Sequence, residues 1–397
     1  MASLDAGTQR RLVTAEASTA AYVPPGYLLF ARENMLLAQR FDLQSLKTAG
    51  EPVRIAQNLA GFASGRRSTA AVPFSASDNG VVVWRMRSGA PVGTELTWYD
   101  RSGRRLGTIG TNADYSGPAL SHDEKMVAVA RLDHATNTRD LWIYPVTGGA
   151  GLRLTSEPAD DFNPVWSADD AWILFTSARK GARNIYRKPA NGTGTLEPLF
   201  ESGGDKHVED LSPDGSYLIF NSYLEAREGT TNPIGTSPDL SLLRLAGGMK
   251  FMTFLASPSR EDQAQFSPDG LWVAFSSDET GQREGFVLAF DPVTGSRGRK
   301  YRISANGAAQ PRWRGDGREI FFLEGSTLMR VDVKPGKGEF SSGTPSPLFS
   351  VNVEKEWRRN RFLVTRDGQR FLVVTRTQVT GDSTIGVQLN WIATLAK

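Results

Sequence analysis

One hairpin, repeated along the chain, constrains the fold more than anything else in the sequence. In its clearest copy, residues 264–275 (AQFSPDGLWVAF), an aromatic strand end at Phe266 runs into Ser267-Pro268-Asp269-Gly270. Ser suits the first position of a type I turn, Pro presets φ at the second, and Gly closes the fourth. An alternating strand with Leu271, Val273 and Phe275 follows. Residues 209–220 (EDLSPDGSYLIF) repeat it almost unchanged. Residues 164–175 (PVWSADDAWILF), 311–322 (PRWRGDGREIFF) and 119–129 (ALSHDEKMVAV) keep the skeleton with degraded turns. Residues 362–374 (FLVTRDGQRFLVV), 74–84 (FSASDNGVVVW) and 21–30 (AYVPPGYLLF) are looser copies. Marked by Pro25, Asp78, Asp123, Asp169, Asp214, Asp269, Asp316 and Asp367, the units are spaced 53, 45, 46, 45, 55, 47 and 51 residues apart.

Each unit carries more than the hairpin. After 264–275 come EGFVLAFDPVTG (284–295) and YRIS (301–304), a third strand, a Gly-containing turn and a short fourth strand. A period of 40–50 residues with four short strands per unit is the pattern of a β-propeller. The expected fold is therefore all-β: an eight-bladed β-propeller of four-stranded antiparallel blades, with seven blades as the alternative. It is expected as one domain over 1–397, with Trp166, Trp313 and Phe266 wedged between blades. Residues 1–20, which include SLDAGTQRRLV, read as a closing segment, the outer part of a blade whose inner strands are C-terminal. Residues 362–374 and 385–392 would supply those strands, and such closure leaves no open sheet edge.

Composition excludes several classes. Forty-six basic and forty-three acidic residues are interspersed and leave a net charge of +3, so no basic stripe marks a nucleic-acid partner. With no cysteine there is neither a disulfide nor a thiolate metal site. No apolar run approaches the length of a membrane span, and the N-terminus has no signal-peptide core. A monomer without cofactor, metal or membrane insertion is expected.

A search for chemistry finds no catalytic constellation. The three histidines, His122, His134 and His207, show no HExxH or other zinc spacing. Residues 61–65 (GFASG) have the wrong spacing for a nucleophile elbow, and kinase motifs are missing. The repeated aspartates suit the turns, where their side chains accept backbone N–H groups. Asp160-Asp161 and Asp169-Asp170 lack the spacing of a calcium loop. Arg66-Arg67 and the run around Arg358, Arg359 and Arg361 read as solvated loop charge. The chain is expected not to be an enzyme.

Propeller geometry points elsewhere. Residues just ahead of each first strand's turn converge on the central axis: Arg67, Tyr115, Asp161, Asn163, His207, Glu209, Asp262, Gln263, Gln310 and Arg361. Polar groups from many blades meeting around a funnel make a binding face. The unit from Asp214 to Asp269 is the longest because residues 221–239, with Tyr223 and Arg227, intervene between strands. A long loop in a tight repeat suits a protein contact or a lid.

The repeat grammar resembles the TolB-type, WD-like propeller of bacteria. More specifically, YVPPGYLLFARENMLLAQRFD, GEPVRIA, FSASDNGVVVWR, LTWYDRSGRRLGTIG, NIYRKPANGTG, FSPDGLWVAFSSDETGQREGFVLAF, PRWRGDGREIFFL and RDGQRFLVV with VQLNW resemble the propeller that follows the kinase and membrane segment in bacterial receptor-type serine/threonine protein kinases. The likeness runs from about Leu4 to Lys397. It implies a non-enzymatic sensor or scaffold module that recognises a protein or peptide, extracytoplasmic as part of a receptor and otherwise cytoplasmic. The alternative is a carbohydrate- or small-molecule-binding propeller, glycoside-active or hydrolase-associated.

Overall fold

The computed structural model describes residues 20–32, 35–57, 59, 74–86, 93–133, 136–223, 238–336, 338–353, 360–377 and 385–396. Among them, regular structure is β-strand apart from a 3₁₀ helix at Trp391–Ala396, and no helix is long and apolar enough to cross a membrane. All eight markers lie between the first and second strands of a four- or three-stranded sheet. Where one domain was expected, the chain divides into two compact units: residues 1–92 with 378–397, and residues 93–377.

The turn forms as its residues dictate. Gly270 N–H donates to the Ser267 carbonyl at 2.9 Å, and Gly270 takes φ +69°. Ser267 Oγ donates to Asp269 Oδ1 at 2.5 Å and accepts from Trp272 N–H at 3.0 Å, while Asp269 Oδ1 also accepts from Leu271 N–H. The same Ser-to-Asp bond recurs at Ser121–Asp123, Ser167–Asp169 and Ser212–Asp214, and Thr365–Asp367 reproduces it. Glu124 and Asp170 stand where other copies have Gly and still adopt φ +58° and +56°. Local side-chain bonds thus hold the turn even where its residue is strained.

In the unit of residues 93–377 six sheets follow one another. Sheet I joins Phe362–Val364 and Arg370–Arg376 to Thr94–Asp100 and to residues 105–113 of the long strand Arg105–Leu120. Sheet II takes residues 114–120 of that strand, then Met126–Asp133, Thr138–Pro145 and Leu152–Arg153. Sheet III is Asp161–Trp166, Trp172–Lys180, Ala182–Pro189 and Glu197–Phe200; sheet IV is Asp205–Leu211, Tyr217–Tyr223, Asp239–Arg244 and Lys250–Leu255. Sheet V is Glu261–Phe266, Trp272–Ser277, Glu284–Phe290 and Arg297–Arg302; sheet VI is Ala309–Trp313, Glu319–Glu324, Thr327–Pro335 and Ser346–Ser350, with Phe340–Ser342 on the end of its third strand.

Six apolar clusters lie between these sheets, one at each junction including VI to I. Phe266 packs at the IV–V junction, Trp313 at V–VI and Trp166 at II–III, as the sequence predicts. Each turn's fourth residue rests on the preceding turn: Gly215 on Ala168, Gly270 on Pro213, Gly317 on Pro268 and Gly368 on Arg314. Asp170 instead accepts from His122 and Asp123 N–H, and Glu124 from Arg366 N–H. The contacts therefore run in a closed cycle.

Ring closure differs from the sequence expectation. Arg370–Arg376 pairs with Thr94–Asp100, not with the N-terminal segment, whose residues 1–19 lie outside the described ones. The physical reason is matched alternation: Leu96 opposes Val374 and Trp98 opposes Leu372, and all four enter the I–II core. Ile385–Gln388 pairs with Val82–Arg85 in the other unit. That unit holds a four-stranded sheet from Ala20–Val23 to Lys47–Gln57 and a three-stranded one of Phe74–Ala76, Val82–Arg85 and Ile385–Gln388. Leu29, Leu36, Val82 and the fully buried Trp391 form its core.

Candidate functional site

The first strands of sheets I to VI touch one another in cyclic order and line the ring's channel. Four residues ahead of each turn stand Gly117, Asn163, Val208, Gln263, Gln310 and Arg361. At Gly117, Asn163, Gln263 and Gln310 the strand bulges, and φ is +64°, +53°, +59° and +60°. A bulge swings its residue out of the ladder and re-aims the side chain. Here the bulged glutamines reach the next strand. Gln263 Oε1 accepts from Gln310 N–H at 3.0 Å, and Gln310 Oε1 accepts from Arg361 N–H. Gly117 N–H then donates to the Asn360 carbonyl at 3.1 Å.

A second row lies closer to the turns. Asp210 Oδ2 accepts from Phe266 N–H and Gln265 Oε1 from Trp313 N–H, both at 2.8 Å. Gln263 and Gln310, which the sequence predicts at a binding face, thus staple adjacent sheets. Gln263 and Gln310 are only 2% exposed, and Arg361 1%.

The channel wall is uneven. At the third and second positions ahead of the turn, sheets IV to VI have Glu209 and Asp210, Ala264 and Gln265, and Pro311 and Arg312; sheets I to III have only Phe362, Leu363, Pro118, Ala119, Pro164 and Val165, of which Phe362, Leu363 and Val165 are buried in the cores between sheets. Glu209 and Asp210 lie deep in the protein yet both keep accessible surface. Burial pushes Glu209 up to about 7 and Asp210 up to about 6, although the Arg312 charge and backbone N–H donors oppose the shift. Glu209 Oε1 accepts from Asn221 Nδ2 at 2.6 Å. Arg312 Nη1 donates to the carbonyls of Pro311 (2.8 Å) and Gln263 (3.3 Å), and burial lowers its pKa.

At the mouth, aromatic and arginine side chains gather. His207 sits between Phe162 (5.3 Å between ring centres) and Tyr223 (5.7 Å). Arg183 covers Phe162 at 5.5 Å, and Arg260 Nη2 donates to Tyr223 Oη at 3.2 Å. Arg260 and Arg283 both pair with Asp262, and Arg283 also donates to Gln263 Oε1. Burial pulls Arg283 down to about 9.

The ten predicted residues therefore divide. Glu209, Asp262, Gln263, Gln310 and Arg361 come together in the channel network, and His207 joins the mouth. Asn163 occupies a bulge on the apolar side. Asp161 is fully buried, held by Arg179 Nη2 at 3.2 Å from each carboxylate oxygen. Tyr115 does not face the funnel: its ring is fully buried in the I–II core, with its hydroxyl 3.3 Å from that of Tyr144. Six residues ahead of the turn, its side chain falls on the sheet face that packs against the neighbour. Arg67, His134, Arg227, Arg358 and Arg359 lie outside the described residues, as do residues 224–237 of the long loop. Sequence reasoning missed Asp210, Gln265 and Arg312. The signal was there: these are polar side chains two residues ahead of a turn, where sister units carry Ala119, Val165 and Leu363. Among the described residues, no group of three or more His, Asp or Glu is placed to hold a metal ion.

No protein-family model matches the chain. It is 25% identical over 138 residues to an uncharacterized protein of Agrobacterium fabrum, covering 34% of this chain and 46% of that one. It is 26% identical over 141 residues to the Tol-Pal system protein TolB of Helicobacter hepaticus, covering 35% of this chain and 32% of that protein. The chain thus spans less than half the length of these curated relatives. Among solved structures, one assigned as TolB from Agrobacterium tumefaciens superposes with a TM-score of 0.56 at 18% identity, covering 73% of this chain and all of that one. The fold is that of a TolB-like β-propeller.

Proposed function

We propose that the ring of residues 93–377 is a non-enzymatic binding module that takes a protein or peptide at the mouth of its channel. The observation that carries this reading is the row Phe162–His207–Tyr223 flanked by Arg183 and Arg260. Aromatic and arginine side chains are enriched in protein contacts, where rings bring large area and the guanidinium brings directed hydrogen bonds. A relative named as a protein of the Tol-Pal system supports a protein partner. The resemblance to receptor-kinase propellers supports a sensor role outside the cytoplasm, and it predicts a kinase reading frame joined upstream in the source DNA.

The test is photo-crosslinking from position 207 or 223 in extracts of the source organism, with affinity capture in parallel. One discrete partner should crosslink, and capture should fall at least tenfold in Phe162→Ala combined with Tyr223→Ala. Undiminished capture by that variant would sink the reading.

A second reading, a glycan or small-molecule ligand with acid–base chemistry, is favoured by one observation: two neighbouring channel carboxyls whose pKa values are raised toward neutrality. Turnover on a panel of glycosides and lactones, abolished in Glu209→Gln, would displace the first reading.

A further inference from the structure

The channel wall is specific about charge. Glu209 and Asp210 are consecutive residues on the first strand of sheet IV, at a break in its register, and both are half-buried. The hydrogen bonds they accept come from neutral donors: Asn221 Nδ2 and the Gln263 backbone for Glu209, and Phe266 N–H with the Leu211 backbone for Asp210. The nearby Arg312 spends Nη1 on main-chain carbonyls. Asn221 supplies an independent sign. It is 6% exposed, its amide is fixed by donation to Glu209, and its buried Oδ1 has no hydrogen-bond partner. A buried acceptor left without a donor costs free energy unless something arrives to fill it.

Resting on the peptide-binding reading above, we propose that the channel receives the cationic head of a basic side chain of the bound peptide between Glu209, Asp210 and Asn221. An ammonium group carries three N–H donors and no acceptor, and this wall offers two carboxyls and one amide oxygen. The groups that set the local field are Glu209 and Asp210 on one strand, Asp262 on the next, Arg283 and Arg312 beyond them, and His122 at the adjoining turn. Binding the cation favours the ionised carboxyls, so affinity rises with pH from about 5 to 7.

The probes are acetyl-Gly-Lys-Gly-amide and its uncharged norleucine analogue, titrated into the full chain and followed by the NMR signals of the Asn221 side-chain amide and by calorimetry. The lysine peptide should shift the Asn221 amide and bind at least tenfold more tightly than the norleucine peptide. Glu209→Gln and Asn221→Leu each remove one acceptor of the cation from the wall, and each should weaken the lysine peptide at least tenfold while leaving the norleucine peptide unchanged. Equal affinity for the two peptides, or no binding of the lysine peptide at millimolar concentration, overturns the cation site. Crosslinking at positions 207 and 223 is read separately, so a partner captured there with no lysine preference leaves the binding module standing without this pocket.

Discussion

The turn ring and the channel wall use the same side chains to opposite ends. In the turns, Asp123 and Asp169 take hydrogen bonds from Ser121 and Ser167 and from backbone N–H groups, and both are held below the usual carboxylate range, Asp123 at about 2. In the channel, burial outweighs similar bonds and raises Glu209 and Asp210. The turn acids recur unit after unit and face water, where ionisation is cheap. The channel acids occur once, where it is not. Repetition in this chain marks what folds it, and departure from the repeat marks what distinguishes it.

The largest effect that would break this contrast is at Arg312. Arg312→Ala leaves Glu209 and Asp210 deep in the protein without their main compensating charge and should cost about 3 kcal/mol in urea unfolding. Val165→Ala, at the equivalent position, truncates an apolar side chain of the III–IV core and should cost less, about 2 kcal/mol. Equal costs would mean that the wall is electrostatically even.

Next comes pH. For an acid whose pKa rises on folding, the folded state holds the proton more tightly, so stability falls as pH climbs through the interval. For Glu209 that interval runs from 4.5 to about 7, for Asp210 from 3.8 to about 6, and for the fully buried Glu261 from 4.5 to about 7. The turn acids act in reverse: Asp123, lowered from 3.8 to about 2, contributes stability above pH 4 that is lost on acidification. Unfolding measured from pH 2 to 8 should therefore peak near pH 4.5. Glu209→Gln should flatten the upper limb, by on the order of 1–2 kcal/mol at pH 7, and Asp123→Asn the lower one. A curve that rises monotonically to pH 7 would contradict the channel assignment.

Smaller still, Asp269→Ala removes one turn acceptor and should cost about 1 kcal/mol while leaving ligand binding intact. The smallest effect is expected for Asp170→Gly. It loses the two backbone N–H bonds to His122 and Asp123 but relieves a left-handed backbone, so thermal unfolding should shift by no more than about 0.5 kcal/mol.

The sequence revealed the parts that depend on neighbours along the chain. The Ser-x-Asp turns, the strand alternation and the wedged Phe266, Trp166 and Trp313 are local, and all were legible. Strand partnership is not local. Arg105–Leu120 reads as ordinary strand, yet its first half completes sheet I and its second half opens sheet II. Likewise Leu96 and Trp98 alternate correctly without revealing that Leu372 and Val374 oppose them. Of the candidate site, the network of Glu209, Gln263 and Gln310 was legible because proximity to the axis follows from the repeat. Tyr115 was misplaced because position along a strand does not tell which face a side chain takes beyond a bulge. Arg312 was overlooked because a single basic residue in a strand carries no motif.

Thr377 donates to the Gly93 carbonyl through both its backbone N–H (3.2 Å) and its hydroxyl (2.8 Å). The chain therefore enters and leaves the six-sheet ring at one point, like the two ends of a bracelet at its clasp. In genetic terms the ring is one continuous cassette, residues 93–377, whose two ends meet, so joining them with a short linker and reopening the chain in an exposed turn would cross no strand.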